Sequence, residues 1–190
     1  LKNNSTPGNI NFAAAVAFGT GAEPRKIAIG DIDKDGKVDI ITANQSDNSI
    51  SILRNTSTAA TISFAAKVDF TTAAIPEGVC TGDMDNDGKT DIMVACSNAA
   101  GVVSVFKNTS VAGTITLNAR ADYGSGGYTW DVATADMDGD GKPELISSNS
   151  GPNTVSVFRN TSTAAISFAA KVDFSTTSSP RGIAIGDLDA

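Results

Sequence analysis

The 190-residue chain carries 21 acidic and 14 basic residues, no histidine and a net charge of −7. An acidic chain without a Lys/Arg cluster does not suit nucleic acid, and its apolar runs fall far short of the 18 or so residues of a membrane-spanning helix. With no histidine, no nucleophile and base pair and no glycine-rich phosphate loop, catalytic residues are expected to be none.

Short apolar and β-branched runs alternate with turn residues, so the chain reads as all-β. In the first complete unit, Lys26–Gly30 is expected as a small, apolar inner strand, followed by an acidic loop, a second strand at Val38–Thr42 and a turn at Asn44–Asn48. Ser49–Leu53 reads as the third strand, Asn55–Thr58 as a further turn and Ile62–Phe70 as the fourth strand. Four antiparallel strands in about 50 residues match a β-propeller blade, with a solenoid of stacked sheets as the rival architecture.

The unit recurs. Segments reading LKNNST, LRNTST, FKNTSV and FRNTST begin at Leu1, Leu53, Phe106 and Phe158, at intervals of 52, 53 and 52 residues. One repeat domain, incomplete at both ends, is expected, with units of approximately 1–52, 53–105, 106–157 and 158–190. That is about 3.7 units, short of the smallest four-bladed propeller. A larger propeller, pairing with a second copy, or self-association of identical repeats into a fibre would each supply the rest.

Every unit writes the same acidic loop. It reads Asp31, Asp33, Asp35, Gly36, Lys37 and Asp39; then Asp83, Asp85, Asp87, Gly88, Lys89 and Asp91; then Asp136, Asp138, Asp140, Gly141, Lys142 and Glu144; and finally Asp187 and Asp189. Carboxylates at positions one, three, five and nine of a tight turn, with a backbone carbonyl from the lysine at position seven, offer the hard oxygen shell that Ca2+ takes. Glycine at position six permits the bend. Asp and Gly runs also mark ordinary turns, but ordinary turns do not need four carboxylates at this spacing. The loop is not an EF-hand, because no glutamate stands at position twelve and strand-forming residues flank it.

Fourteen of the 21 acids belong to these loops, and the seven others against 14 basic residues leave the rest of the chain at +7. Three calcium ions, one for each complete loop, would bring the total to −1, whereas empty loops repel internally. Metal binding and folding are therefore expected to be coupled. Cys80 stands where other units have Ala28, Ala133 and Ala184, which favours a small buried side chain. Cys96 falls on the adjoining strand, and a cross-strand disulfide is the alternative.

Comparison of the units singles out positions that the scaffold does not require. Six residues before each loop stand Arg25, Glu77, Trp130 and Arg181, and five before it Lys26, Gly78, Asp131 and Gly182. On the face opposite the acidic loops, Arg25, Glu77, Tyr128, Trp130, Asp131 and Arg181 are candidate ligand-binding residues, with Trp130 as an aromatic anchor or, alternatively, a wedge between blades. Asn55, Asn108 and Asn160 begin in-phase Asn-Thr-Ser sequons, which read either as glycan acceptors on one face or, more simply, as turn chemistry.

The chain resembles the FG-GAP or VCBS-type repeats, known from the propeller of integrin alpha chains and from bacterial surface proteins. The resemblance spans the whole chain and is carried by D-x-D-x-D-G-x-x-D flanked by strands, at Asp31 to Asp39 and Asp83 to Asp91. Phe18-Gly19 and Tyr123-Gly124 keep the name-giving dipeptide, while Phe70-Thr71, Phe174-Ser175, Pro143 and Glu144 depart from the pattern. The resemblance implies calcium held between the first and second strands of each blade, and it points to the bacterial branch. The expected function is a non-catalytic, calcium-stabilised extracellular module that binds a protein or glycan at a surface, since weak calcium sites suit a medium where the ion is millimolar. A structural subunit of a fibre or stalk, and an ancillary propeller of a secreted carbohydrate-active enzyme, are the alternatives.

Overall fold

The computed structural model describes residues 1–186. Strands β1 (Pro24–Gly30), β2 (Asp39–Asn44), β3 (Ser49–Leu53) and β4 (Val68–Thr71) form the first sheet. β5 (Pro76–Gly82), β6 (Asp91–Cys96), β7 (Val102–Phe106) and β8 (Ala121–Gly124) form the second. β9 (Thr129–Ala135), β10 (Glu144–Asn149), β11 (Thr154–Phe158) and β12 (Val172–Ser175) form the third. Within each sheet every strand pairs antiparallel with the next in sequence, and among the described residues no strand ladder passes between sheets. The sheets are therefore joined by side-chain packing and single hydrogen bonds. No helix among the described residues is long and apolar enough to cross a membrane.

Burial explains why these segments pair so regularly. All six residues of β6 are buried, and alternate side chains leave its two faces, so the strand serves two cores at once. Ile92, Val94 and Cys96 meet Ile41, Ile50 and Ile52 of the first sheet, while Met93 and Ala95 meet Val132, Leu145 and Phe158 around the third. Ile32 and Met84, at position two of their acidic loops, are fully buried in these same cores. β5 lies between β1 and β9 and buries Val79 to 2% exposure, whereas Ile27 and Ile29 of β1 are each 61% exposed.

The third strand begins and ends as expected from the sequence, but the others shift. β1 extends back to Pro24 and β2 forward to Asn44, because Asn44 closes the hairpin by donating from Nδ2 to Ser49 Oγ (3.1 Å) and Ser51 Oγ (2.9 Å). The fourth strand is much shorter than the expected Ile62–Phe70. Residues 55–64 instead make a narrow excursion closed by a single bridge between Asn55 and Phe64. Local side-chain bonds win over the ladder there. Ser57 N donates to Asn55 Oδ1 (2.9 Å), and Ser57 Oγ both accepts from Ser63 N (3.0 Å) and donates to Ser63 O (3.2 Å). The same excursion recurs at Asn3/Phe12, Asn108/Leu117 and Asn160/Phe168. Aromatic contacts link each unit to the excursion of the next, with Phe18, which follows the first excursion, edge-on to Phe64 and Tyr123 of β8 edge-on to Phe168, both at 4.9 Å.

One glycine sets the spacing between inner strands. A Cβ at Gly78 of β5 would meet Trp130 O at 2.8 Å and Asp131 Cα at 3.0 Å, so β9 approaches this closely only because Gly78 has no side chain. The cysteines are free. Cys80 is opposite Met93 and Cys96 opposite Pro76, so their side chains leave the second sheet on opposite faces and no cross-strand disulfide forms. Burial pushes the Cys80 thiol up to about 12 and the Cys96 thiol up to about 11, which leaves both inert.

Candidate metal centre

Each acidic loop connects the first and second strands of its sheet, and its bend rests on two left-handed residues. Lys34 (φ 59°) and Gly36 (φ 85°) occupy them in the first loop, Asn86 (58°) and Gly88 (81°) in the second, Gly139 (77°) and Gly141 (84°) in the third. The bend turns amide groups inward onto the first carboxylate. Gly36 N donates to Asp31 Oδ2 (2.9 Å), Gly88 N to Asp83 Oδ2 (2.7 Å) and Gly141 N to Asp136 Oδ2 (2.9 Å).

Position nine is held from both ends. Asp39 Oδ2 accepts from Ile32 N (2.9 Å) and Oδ1 from Asn55 N (2.7 Å); Asp91 accepts in the same way from Met84 N (2.9 Å) and Asn108 N (2.8 Å). Glu144, whose longer side chain departs from the pattern, keeps the equivalent donors, Met137 N (2.8 Å) and Asn160 N (3.3 Å). The extra methylene is absorbed without losing the bonding scheme.

Three groups of carboxylates result, each with one oxygen per residue lying within 4.8 Å of the others: Asp31, Asp33 and Asp39; Asp83, Asp85 and Asp91; Asp136, Asp138 and Glu144. These are positions one, three and nine. The position-five carboxylates Asp35, Asp87 and Asp140 lie outside these triads and accept the N–H of Lys37, Lys89 and Lys142, each at 2.9 Å. The position-seven residues are thus tied back into their own loops, and the ammonium groups of Lys89 and Lys142 donate to Ser110 O (3.0 Å) and Ser162 O (2.7 Å). Asp187 and Asp189 lie outside the described residues.

Burial and like charge raise Asp39 and Asp91. Asp91 is pushed up to about 6, chiefly by burial and further by Asp85 and Asp87, against the lowering effect of its two backbone donors. Asp39 is raised for the same first reason. The donor set is all hard oxygen, and among the described residues Asp85 keeps Oδ1 buried with no hydrogen-bond partner. An orphaned buried carboxylate oxygen beside two other carboxylates is the arrangement that a divalent cation satisfies. The three triads therefore fit a cation such as Ca2+.

The sequence read Asn108 and Asn160 as glycan acceptors or turn residues, whereas in the fold they tie these loops to neighbouring sheets. Asn108 is fully buried and Asn160 is 1% exposed. Asn108 Nδ2 donates to Thr90 O (2.9 Å) in its own sheet's loop and to Ile32 O (2.8 Å) in the loop of the first sheet. Asn160 Nδ2 does the same with Pro143 O (2.9 Å) and Met84 O (2.8 Å). Asn55 Nδ2 donates to Val38 O (2.8 Å). Their exact phase in the repeat was the visible signal, there read as sequon or turn. A glycan on Nδ2 of Asn108 or Asn160 would take the place of a hydrogen that bonds a backbone carbonyl.

At the other end of the sheets, the chain gathers the candidate ligand residues but pairs them with one another. Arg25 Nε donates to Gln45 Oε1 (3.0 Å) and lies 3.9 Å from Glu77, while Gln45 also donates to Glu77. Lys26 of β1 reaches Asp131 of β9, whose other oxygen accepts from Ile183 N (3.2 Å). Trp130 is half-buried, donates from Nε1 to Ser150 Oγ (2.8 Å) and carries the Arg181 guanidinium 4.2 Å above its ring. Tyr128 is 48% exposed.

The sequence model described as the FG-GAP-like repeat matches residues 31–94, 83–147 and 136–190, each stretch running from one acidic loop into the next. No curated protein matches the chain.

Proposed function

We propose that this chain, which belongs to the FG-GAP-like repeat family, is a calcium-stabilised extracellular repeat module whose sheets are arranged as propeller blades and which serves adhesion or ligand binding at a cell surface. Repeats of this type are a non-catalytic structural and adhesion module. The observation that carries the calcium reading is the recurrence of one carboxylate triad at the same place, between the first two strands of all three sheets. Bound calcium would supply two positive charges against three or four carboxylates in each loop. Asp31, Asp33 and Asp39 would hold it in the first, with Asp35 and the Lys37 carbonyl completing the shell. Asp83, Asp85, Asp91, Asp87 and Lys89 have the same roles in the second, and Asp136, Asp138, Glu144, Asp140 and Lys142 in the third. Asp187 and Asp189 would open a further loop.

The chain's own residues supply the coupling to stability. Because Asp91 and Glu144 are each bonded to the amide of an asparagine that also grips the preceding sheet, neutralising those acids steadies the contact between sheets. The ligand face would lie at the opposite end, around Tyr128, Trp130 and Arg181, with a protein or glycan as partner and with repeat units of about 1–52, 53–105, 106–157 and 158–190. A fibre subunit is the second reading. It is favoured by the recurrence of one unit at intervals of 52 and 53 residues, since identical repeats can bind one another head to tail.

Thermal melting with and without chelator tests the proposal. Chelation is expected to lower Tm by about 10 °C or more, a few kcal/mol for a chain of this size, and calcium to restore it. An unchanged melt in excess chelator would remove the calcium reading. Light scattering of the calcium-loaded protein separates the readings of assembly, a fibre subunit giving a mass far above the monomer's.

A further inference from the structure

The three loops place carboxylates at the same positions but have different positive neighbours. In the first, Arg54 stands 4.0 Å from both Asp33 and Asp35, and Asp33 Oδ2 is satisfied by Gly113 N (2.7 Å), an amide in the excursion of the second sheet. In the third, no basic side chain comes within 4.0 Å of Asp136, Asp138, Asp140 or Glu144 among the described residues. In the second, the ammonium of Lys107 sits directly on Asp85 and 3.2 Å from Asp87, holding two of the four carboxylates.

The cause is a one-residue deletion elsewhere. The excursion of the second sheet closes between Asn108 and Leu117, and its Gly113 amide reaches back to Asp33. The excursion of the third sheet closes one residue sooner, between Asn160 and Phe168. Among the described residues it sends no amide back to Asp85, whose Oδ1 is left buried without a partner and whose Oδ2 takes Lys107 instead. Lys107 also donates to Ala164 O (3.2 Å) in that shortened excursion. Lys2, at the equivalent position of the first unit, has no carboxylate within 4.0 Å among the described residues and donates to the corresponding carbonyl, Ala60 O (3.4 Å). The repeat therefore provides this lysine with a second resting place.

We propose that Lys107 is a tethered competitor for calcium at the second loop, and that an arriving ion displaces its ammonium from Asp85 and Asp87, leaving it on the Ala164 carbonyl of the third sheet to which it already donates. This rests on the calcium reading above. Lys107 and the ion seek the same oxygens, and two cations within a few ångströms repel, so the lysine lowers the affinity of this loop relative to the same carboxylates alone. The displaced ammonium then bears only on the next sheet, so ion binding in one sheet is felt at its contact with the neighbour.

Calorimetric titration of the full chain with calcium, at low salt and with a competing chelator, tests this in the wild type, in Lys107→Met and in Arg159→Met. Lys107→Met is expected to tighten one site by roughly tenfold, the size of a single screened charge pair at close range, and Arg159→Met to change none. If wild type binds calcium and Lys107→Met leaves every affinity within about twofold, the competition is refuted while the calcium reading stands; if wild type binds none, both fall. A measurement on the wild-type chain guards against a variant that folds poorly. With lysines carrying 13C-dimethyl groups, which keep the charge, the Lys107 resonance, identified by its loss in Lys107→Arg, should move as calcium saturates the protein. A resonance that stays in place at saturation overturns the displacement.

Discussion

Replacing Asn108 with alanine removes one side chain that holds two sheets together. Asn108 is fully buried, donates to Ile32 O at 2.8 Å and Thr90 O at 2.9 Å, and accepts from Ser110 N at 2.8 Å. Its truncation strands three backbone groups where water has poor access. Unsatisfied buried groups cost about 1–3 kcal/mol each, and carbonyls that keep another partner fall at the low end. The loss should be about 3–4 kcal/mol for Asn108→Ala, or roughly 6–16 °C in Tm for a domain of this length. Asn55→Ala is the internal control. Asn55 is only half-buried and donates to Val38 O alone, so its loss should be about 1 kcal/mol. Denaturant unfolding in saturating calcium measures both. Equal losses in the two variants, or a change at Asn108 below about 0.5 kcal/mol, would show that the bridge to Ile32 O contributes nothing and that these asparagines are turn residues only.

The loops should also respond to pH in a definite direction. Asp91 is raised from its ordinary 3.8 to about 6 by burial, so its contribution to the metal-free fold is fully present below about 3.8 and lost as pH rises through about 6. Calcium needs the ionised form, so the gap in Tm between calcium-loaded and chelated protein should widen from pH 4.5 to pH 7.5; an equal gap at both would refute the assignment of Asp91 as a ligand. Gly78→Ala places a Cβ 2.8 Å from Trp130 O and should destabilise the fold by about 1–3 kcal/mol, checked by denaturant unfolding, whereas Gly124→Ala, with nothing within 4 Å, should be nearly neutral. Trp130→Ala should abolish binding on a glycan array if the face around Tyr128 is the ligand site, and unchanged binding there would dismiss Trp130 as the anchor.

Much of the architecture was legible in local pattern. Ser49–Leu53 alternates in period two and forms β3 with those bounds, and the D-x-D-x-D-G-x-x-D spacing places its bend and its position-nine acid correctly, because a glycine with positive φ and its neighbouring amides act within a few residues of one another. The unbroken apolar run Ile92 to Cys96 likewise matches a strand buried on both faces. The fourth strand was misjudged in length, since Ile62 to Phe70 has strand-forming side chains, yet the Asn-Thr-Ser turn captures Ser63 before the ladder can begin.

What local pattern could not contain is any partner brought from another unit. Asn108 reaches Ile32 across 76 residues, Lys26 reaches Asp131 across 105, and Lys107 meets Asp85 because an excursion more than 50 residues onward is one residue short. The amino-acid order by itself determined the repeat, its strands and the carboxylates of each loop, since these follow from side-chain period and turn geometry over short stretches of chain. The packing of sheet on sheet decided which of those carboxylates are buried, which meet a cation from the protein itself and which residues bind the units together, because desolvation and charge pairing depend on neighbours that only the folded chain assembles.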